Sequence, residues 1–269
     1  MKQRLDTYLV ENGLVSGRDL AKSFIMEGKV FVNGQRADKA GEQVSTKDSV
    51  ELRGGPRYVS RGGLKLEKAM QVFPIDLSCA VSMDIGASTG GFTDCMLQNG
   101  AEKVYALDVG HDQLDIKLKN DPRVKNLEGT HIKNLSEDML DGNSPELVSV
   151  DVSFISLEKV LPYIVPFMSE KTDLVCLFKP QFEVGKTNKG IVRREKEMVS
   201  ALKKFILFLP DFGLGVKVLD FSPIKGPEGN REYLCYMKKG KFDAPIIDAQ
   251  AVVDIFDANT GAVARFVLQ

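Results

Sequence analysis

The chain contains no tryptophan, only two histidines and only four cysteines in 269 residues. His111 and His131 are too few and too far apart to build a zinc site or a Ser-His-Asp triad. Cys79, Cys95, Cys176 and Cys235 show neither metal-ligand spacing nor a disulfide framework, so a reducing cytoplasm is the expected setting and no metal is expected. No run approaches the roughly 20 apolar residues of a membrane span. The opening "MKQRLDTYLVENG" lacks the apolar centre of a secretion signal, so no membrane association is expected. Net charge is also lacking, at -1, yet its distribution is uneven. Residues 1–68 hold 13 Lys/Arg against 9 Asp/Glu, and "RGGPRYVSRGGLK" spaces Arg53, Arg57, Arg61 and Lys65 four apart with no acid among them. Its glycines and proline argue against one continuous helix and for a basic linker able to follow phosphates.

What is present falls into two parts. At the front, Leu5, Tyr8 and Leu9 share a helical face that Gly13 ends, and Ser16 stands three residues before Asp19 at capping-box spacing. Leu20, Phe24 and Ile25 continue an apolar face to Gly28, and "KVFVNGQRA" reads as a hairpin turned by Asn33-Gly34. Two helices and a small hairpin bury too little for a catalytic domain and read as a recognition module. From Cys79 onward, strand-like and helix-like segments alternate: "AVSMDIG", "GGFTDCMLQNG", "KVYALDVG", "LVSVDVSFI", "TDLVCLFKP", "GVKVLDFSP" and "REYLCYMKK". Such alternation predicts a doubly wound, mostly parallel α/β sheet with ligands at the carboxyl ends of its strands.

The first of these strands ends in "DIGASTGGFTD", which is neither a Walker A loop nor a clean G-x-G-x-x-G. Gly86, Gly90 and Gly91 allow close backbone approach, and Asp108 ends the next strand where an acid takes ribose hydroxyls. A second acid, Asp84, precedes the glycines, where it would repel a pyrophosphate but suit a cationic amino-acid end. The combination favours S-adenosylmethionine over NAD. Strand ends then gather two lysines and two acids: Lys65 in "SRGGLKLEKAM", Asp151 after "LVSV", Lys179 after the apolar "LVCLF", and Glu232 before "YLCYM". Taken alone, Lys179 is the first solvated residue past a core strand. With the others it suits deprotonation of a poor acid, since apolar surroundings and a second ammonium both lower a lysine's pKa.

These residues resemble known families. "RLDTYLVENGLVSGRDLAKSFIMEGKVFVNG", roughly residues 3–50, resembles an S4 RNA-binding domain, although that family usually opens the second helix with Ser-Arg and here Gly17 precedes Arg18. The four strand-end groups resemble the Lys-Asp-Lys-Glu tetrad of FtsJ-like ribose 2′-O-methyltransferases. The whole chain resembles the TlyA family of rRNA methyltransferases, historically labelled haemolysins, through "SRGGLKL", "DIGASTGGFTD", "DVSFISL", "LFKPQFE" and "GNREYL".

The resemblance implies a small α+β S4 domain with its basic linker over 1–58, a seven-stranded Rossmann-like SAM-methyltransferase domain over 59–241, and a tail of no assigned role over 242–269. It implies a catalytic set of Lys65, Asp151, Lys179 and Glu232, with Lys179 as base. It implies cofactor binding by Asp84, Gly86, Ser88, Gly90, Gly91, Phe92 and Asp108, and RNA binding by Arg4, Arg18, Lys22, Lys29, Arg53, Arg57 and Arg61. The implied partner is ribosomal RNA or a ribosomal subunit. His131 stands where the family usually has Asn, and "RYV" (57–59) resembles its interdomain linker. Two other classes are open to the chain: a non-catalytic ribosome-assembly factor, and a membrane-lytic haemolysin. Base methylation would want an Asn/Asp-Pro-Pro-aromatic loop or a catalytic cysteine, and neither is present.

Overall fold

A computed structural model describes residues 2–15, 17–55, 57–184, 192, 194–226 and 229–240. The chain divides into two compact units, Met1–Arg61 and Gly62–Gln269. The expected cap at Ser16 and the 242–269 tail lie outside the described residues.

In the first unit, β1 (Lys2–Arg4) leads into α1 (Leu5–Glu11) and α2 (Arg18–Met26), followed by β2 (Val30–Val32), β3 (Gln35–Arg36), β4 (Gln43–Ser45) and β5 (Val50–Leu52). The helical faces read from the sequence supply the core, with Leu5, Leu9, Phe24 and Ile25 packed on Val30 and Val44. The β2–β3 hairpin turns on Asn33 and Gly34, both at positive φ (52° and 78°), as a two-residue primed turn requires. Strand order is β3-β2-β5, with β1 and β4 paired separately. The second helix begins after Gly17, with no side-chain cap. In the first turn of α1, Asp6 is fully buried and held by Arg4 and Arg18. The Arg4 hydrogen bond, aided by Arg18, outweighs burial and lowers its carboxyl to about 2.

The second unit runs α3 (Gly62–Val72), β6 (Val81–Ile85), α4 (Gly91–Gln98), β7 (Lys103–Asp108), α5 (Ile116–Lys119), β8 (Val124–Glu128), β9 (Leu147–Val150), α6 (Leu161–Ile164), β10 (Asp173–Phe178), α7 (Pro180–Glu183), α8 (Glu195–Phe208), β11 (Leu214–Phe221) and β12 (Tyr233–Lys239). Seven strands form one sheet in the order β11-β12-β10-β9-β6-β7-β8. The five strands β6 to β10 are parallel, and β12 lies antiparallel between β10 and β11.

From β6 the chain steps outward to β7 and β8, then returns to place β9 on the other side of β6. That reversal opens a crevice between the carboxyl ends of β6 and β9, the position at which doubly wound sheets bind ligands. Leu174 through Phe178 of β10 are all buried. Each large side chain so buried contributes about 1.5–3 kcal/mol, which anchors the strand and the residue that follows it, Lys179. Among the described residues, no helix is long and apolar enough to cross a membrane.

Candidate active site

At the β6–β9 crevice lies a cavity of about 380 Å³. Its walls come from three strand ends: Ile85, Gly86 and Ser88 at the end of β6, Asp108 and Val109 at the end of β7, and Asp151 to Ile155 after β9, with His131 and Ile132 from the segment after β8. Gly86 has φ +82°, and a Cβ there would lie 2.6 Å from the Asp151 carbonyl oxygen. Only glycine lets the two strand ends approach so closely. Asp108 is fixed by the loops around it, its Oδ2 accepting from Ser88 N and its Oδ1 from Gly110 N, both at 2.8 Å. Each carboxylate oxygen keeps acceptor capacity for a ligand. His131 accepts the Lys133 backbone N–H through Nδ1, at 3.2 Å.

Lys65, Asp151, Lys179 and Glu232 form one connected ionic cluster. Lys65 Nζ lies 3.3 Å from Asp151 Oδ2 and 2.7 Å from Glu232 Oε2. Lys179 Nζ lies 2.5 Å from Asp151 Oδ1 and donates to Ser153 Oγ at 3.1 Å. Asp151 therefore bridges two ammonium groups, one on each oxygen, and it alone of the four also lines the cavity.

The backbone explains these placements. Pro180 opens α7 and demands an extended residue before it, so Lys179 sits at φ -113°, ψ 100°. Glu232 precedes β12, and a Cβ on Gly226 would lie 2.7 Å from its Oε1. Gly226 N donates to Asn230 O, and Asn230 Oδ1 accepts from Val192 N, which holds this turn. Pro227 and Glu228 of the same loop lie outside the described residues.

Burial pulls the pKa of Lys65 down, but Asp151 and Glu232 outweigh it and the net shift is upward. Lys65 therefore stays an ammonium. Burial likewise opposes the charge of Asp151, and Lys65 and Lys179 overcome it to leave the pKa lowered.

The residues expected to bind cofactor divide. Gly86, Ser88 and Asp108 line the cavity; Asp84, Gly90, Gly91 and Phe92 are not part of its wall. Asp84 is fully buried, accepting from Thr93 N, Thr93 Oγ and Ser149 Oγ, and so ties β6 to α4 and β9. Gly90 (φ +93°) makes room for the Leu118 side chain, and Phe92 is buried in the packing.

Burial pushes Asp84 up to about 6 from 3.8, against the three hydrogen bonds. A carboxyl raised in the folded state stabilises most below its unfolded pKa, and that contribution is lost as pH rises through the folded value. Asp84→Asn removes this dependence. The stability of the parent relative to the variant should fall by roughly 2–3 kcal/mol as pH rises from below 4 to above 6. Urea unfolding at several pH values checks this, and a constant difference would contradict it.

The basic residues expected on RNA are mostly engaged locally. Lys22 pairs with Asp19, Lys29 with Glu27, and Arg53 with Glu51 while lying over the Phe31 ring at 4.0 Å. Arg4 and Arg18 both hold Asp6, and Arg57 lies over the Tyr58 ring. The arginines on Asp6 remain half exposed.

Ser153 and Phe154 also stand at this site, and within "DVSFISL" nothing in their residue types alone marks them. Phe154 is 91% exposed, at φ +65°, beside the cavity. A bulky aromatic in the left-handed region is strained, and such strain concentrates at functional positions. Its ring lies 5.2 Å from that of Phe182, and its open face offers a stacking surface. Glu183 of α7 binds the same loop, accepting from Ser156 Oγ at 2.6 Å and Leu157 N at 2.9 Å.

Comparison with known proteins adds to this geometry. The FtsJ-like methyltransferase family matches residues 58–239, and the S4 domain family matches residues 3–50. The 16S/23S rRNA (cytidine-2′-O)-methyltransferase TlyA of Mycobacterium tuberculosis is 40% identical over 245 residues, spanning 88% of this chain and 90% of that one. Hemolysin A of Brachyspira hyodysenteriae is 43% identical over 240 residues, 87% of this chain and 98% of that one. A solved structure described as a hemolysin from Streptococcus thermophilus is 42% identical, superposes with a TM-score of 0.73, and covers 96% of both chains.

Proposed function

The chain belongs to the TlyA family of FtsJ-like methyltransferases, and from that premise we propose that it transfers a methyl group from S-adenosylmethionine to a ribose 2′-oxygen of ribosomal RNA. The observation that carries this reading is the bridging of Lys65 and Lys179 by Asp151 at the wall of a cofactor-sized cavity. The cavity volume falls within the range usual for small-molecule sites. Its residues suit the cofactor: Asp108 would take the ribose hydroxyls, Val109 and Ile132 would flank the purine, and the Gly86–Ser88 turn would receive the amino-acid end.

When bound, the cofactor supplies a methyl group on a cationic sulfur, an electrophile that needs an oxygen held in line. Lys65, kept charged, holds Asp151 through Oδ2, and Asp151 holds Lys179 through Oδ1. Lys179 accepts the 2′-hydroxyl proton as the oxygen attacks. Glu232, only 1% exposed, balances Lys65 without competing for the acceptor. Positioning supplies the larger part of the acceleration, and a base of this kind about 10²–10⁴-fold.

The S4 unit and the basic stretch after it supply affinity for the phosphate backbone, so binding should weaken steeply with salt. Purified protein with methyl-labelled cofactor and ribosomal subunits or their RNA tests the function. A methyl on the 2′-oxygen removes the nucleophile that cleaves RNA in alkali, so the label should reside in an alkali-resistant dinucleotide. Label on a base would refute the ribose assignment, and RNA binding without transfer would favour an assembly factor. Asp108→Ala should weaken cofactor binding by about 1.5–3 kcal/mol, the worth of a charged hydrogen-bond acceptor. Calorimetry measures this directly; unchanged affinity would remove Asp108 from the cofactor site.

A further inference from the structure

The two lysines of the cluster have different acceptors. Lys65 faces two carboxylates, Asp151 and Glu232, while Lys179 faces one carboxylate oxygen and the neutral hydroxyl of Ser153. A second carboxylate favours the ammonium. A hydroxyl accepts a hydrogen bond without adding charge, so it orients an amine without supplying a second counter-ion. A neutral primary amine carries two N–H bonds and one lone pair in a tetrahedral array. With Asp151 Oδ1 in ionic contact with Nζ and one N–H donated to Ser153 Oγ, the directions left for the lone pair are narrowed.

We propose that Ser153 is a positioning residue for methyl transfer, whose Oγ accepts an N–H of Lys179 and thereby aims the lone pair of Nζ at the acceptor hydroxyl. The inference rests on the reading of Lys179 as the base. In the step it serves, the oxygen–methyl bond forms and the methyl–sulfur bond breaks with its electron pair left on sulfur. The hydroxyl proton goes to Nζ, and the ammonium later returns it to water.

The frame around Ser153 is built to hold it there. Lys179 immediately precedes α7, and α7 grips the Ser153 loop twice: Glu183 accepts from Ser156 Oγ and Leu157 N, and Phe182 packs its ring on Phe154. Base and positioning hydroxyl therefore share one support. Ser153 also lines the cavity beside Asp151 and is itself exposed, as is Phe154. The acceptor therefore has an open approach on the side where the hydroxyl sits.

The test compares Ser153→Ala, Ser153→Thr and Ser153→Asp in the full chain, with melting temperature and calorimetric cofactor affinity recorded for each. Ser153→Ala should lower kcat about 10–100-fold, the effect of a misaimed reacting group, with KM for RNA and cofactor affinity within about twofold of the parent. Ser153→Thr keeps the oxygen and should recover most of the rate. Ser153→Asp supplies a second carboxylate, so the rising, acidic limb of its pH–rate profile should move to higher pH, which a purely structural role would not cause. Full kcat in Ser153→Ala, or an unmoved profile in Ser153→Asp, would overturn the inference. Lys179→Arg separates the two readings. An active arginine variant refutes the base itself, whereas an inactive one beside a fully active Ser153→Ala refutes only the positioning.

Discussion

Lys179→Arg is expected to abolish methyl transfer almost as completely as Lys179→Ala, with a loss of at least about 10²–10⁴-fold in kcat. A guanidinium retains the positive charge and could still sit against Asp151, but it does not deprotonate in proteins. If the residue only stabilised charge or held Asp151, arginine would preserve much of the rate. As a base, it cannot be replaced by arginine at all. Cofactor binding should survive both changes, because Lys179 is absent from the cavity wall and contacts the site through Asp151 and Ser153. The assay is transfer of labelled methyl to ribosomal RNA at saturating cofactor, with calorimetry on the same preparations. Substantial transfer by the arginine variant would move the base elsewhere in the cluster. Lost cofactor affinity would show that the lysine supports the cavity as well.

Much of this site can be read in the chain itself because its signals are local. An apolar pentapeptide ending in Lys-Pro fixes a strand, its end and the extended backbone of Lys179. An acid closing the second strand, in register with a glycine turn, places Asp108 on the cavity.

What escapes a sequence reading depends on partners distant in the chain. The acid at 84 is visible, but Thr93 and Ser149, which donate to its buried oxygens, are not. The glycine at 90 suggests a ligand, whereas the Leu118 side chain is what a Cβ would strike. Strand periodicity identifies β12 without saying that it inserts antiparallel between β10 and β11. The shift of Lys65 has the opposite sign to burial alone, because two carboxylates from separate elements converge on it. Nothing in an alternating apolar pattern signals that Phe154 adopts a positive φ with its ring in solvent.

Asp151→Asn should be the most destabilising single change in the cluster, costing about 3–5 kcal/mol, the usual penalty for removing one partner of a buried ion pair. The amide matches the carboxylate in size, so packing is kept and only charge and one acceptor are lost. Both ammonium groups then lie nearly buried, with Glu232 as the one carboxylate left among the four residues, and the new NH₂ group confronts one of them. The pH dependence has a definite sign. The folded-state pKa of Asp151 is lowered, so its contribution is present above the unfolded value near 3.8 and is lost as pH falls through the folded value. The gap between parent and variant should therefore be widest near neutrality and narrow in strong acid. Adding Lys65→Met to Asp151→Asn should cost less than the two single changes together, by about 1 kcal/mol or more, since one stranded cation has been removed. Urea unfolding of the four proteins, followed by circular dichroism, supplies the cycle. Strict additivity would mean that Asp151 does not hold Lys65, and the chain of contacts from Glu232 through Lys65 and Asp151 to Lys179 would be broken at its second link.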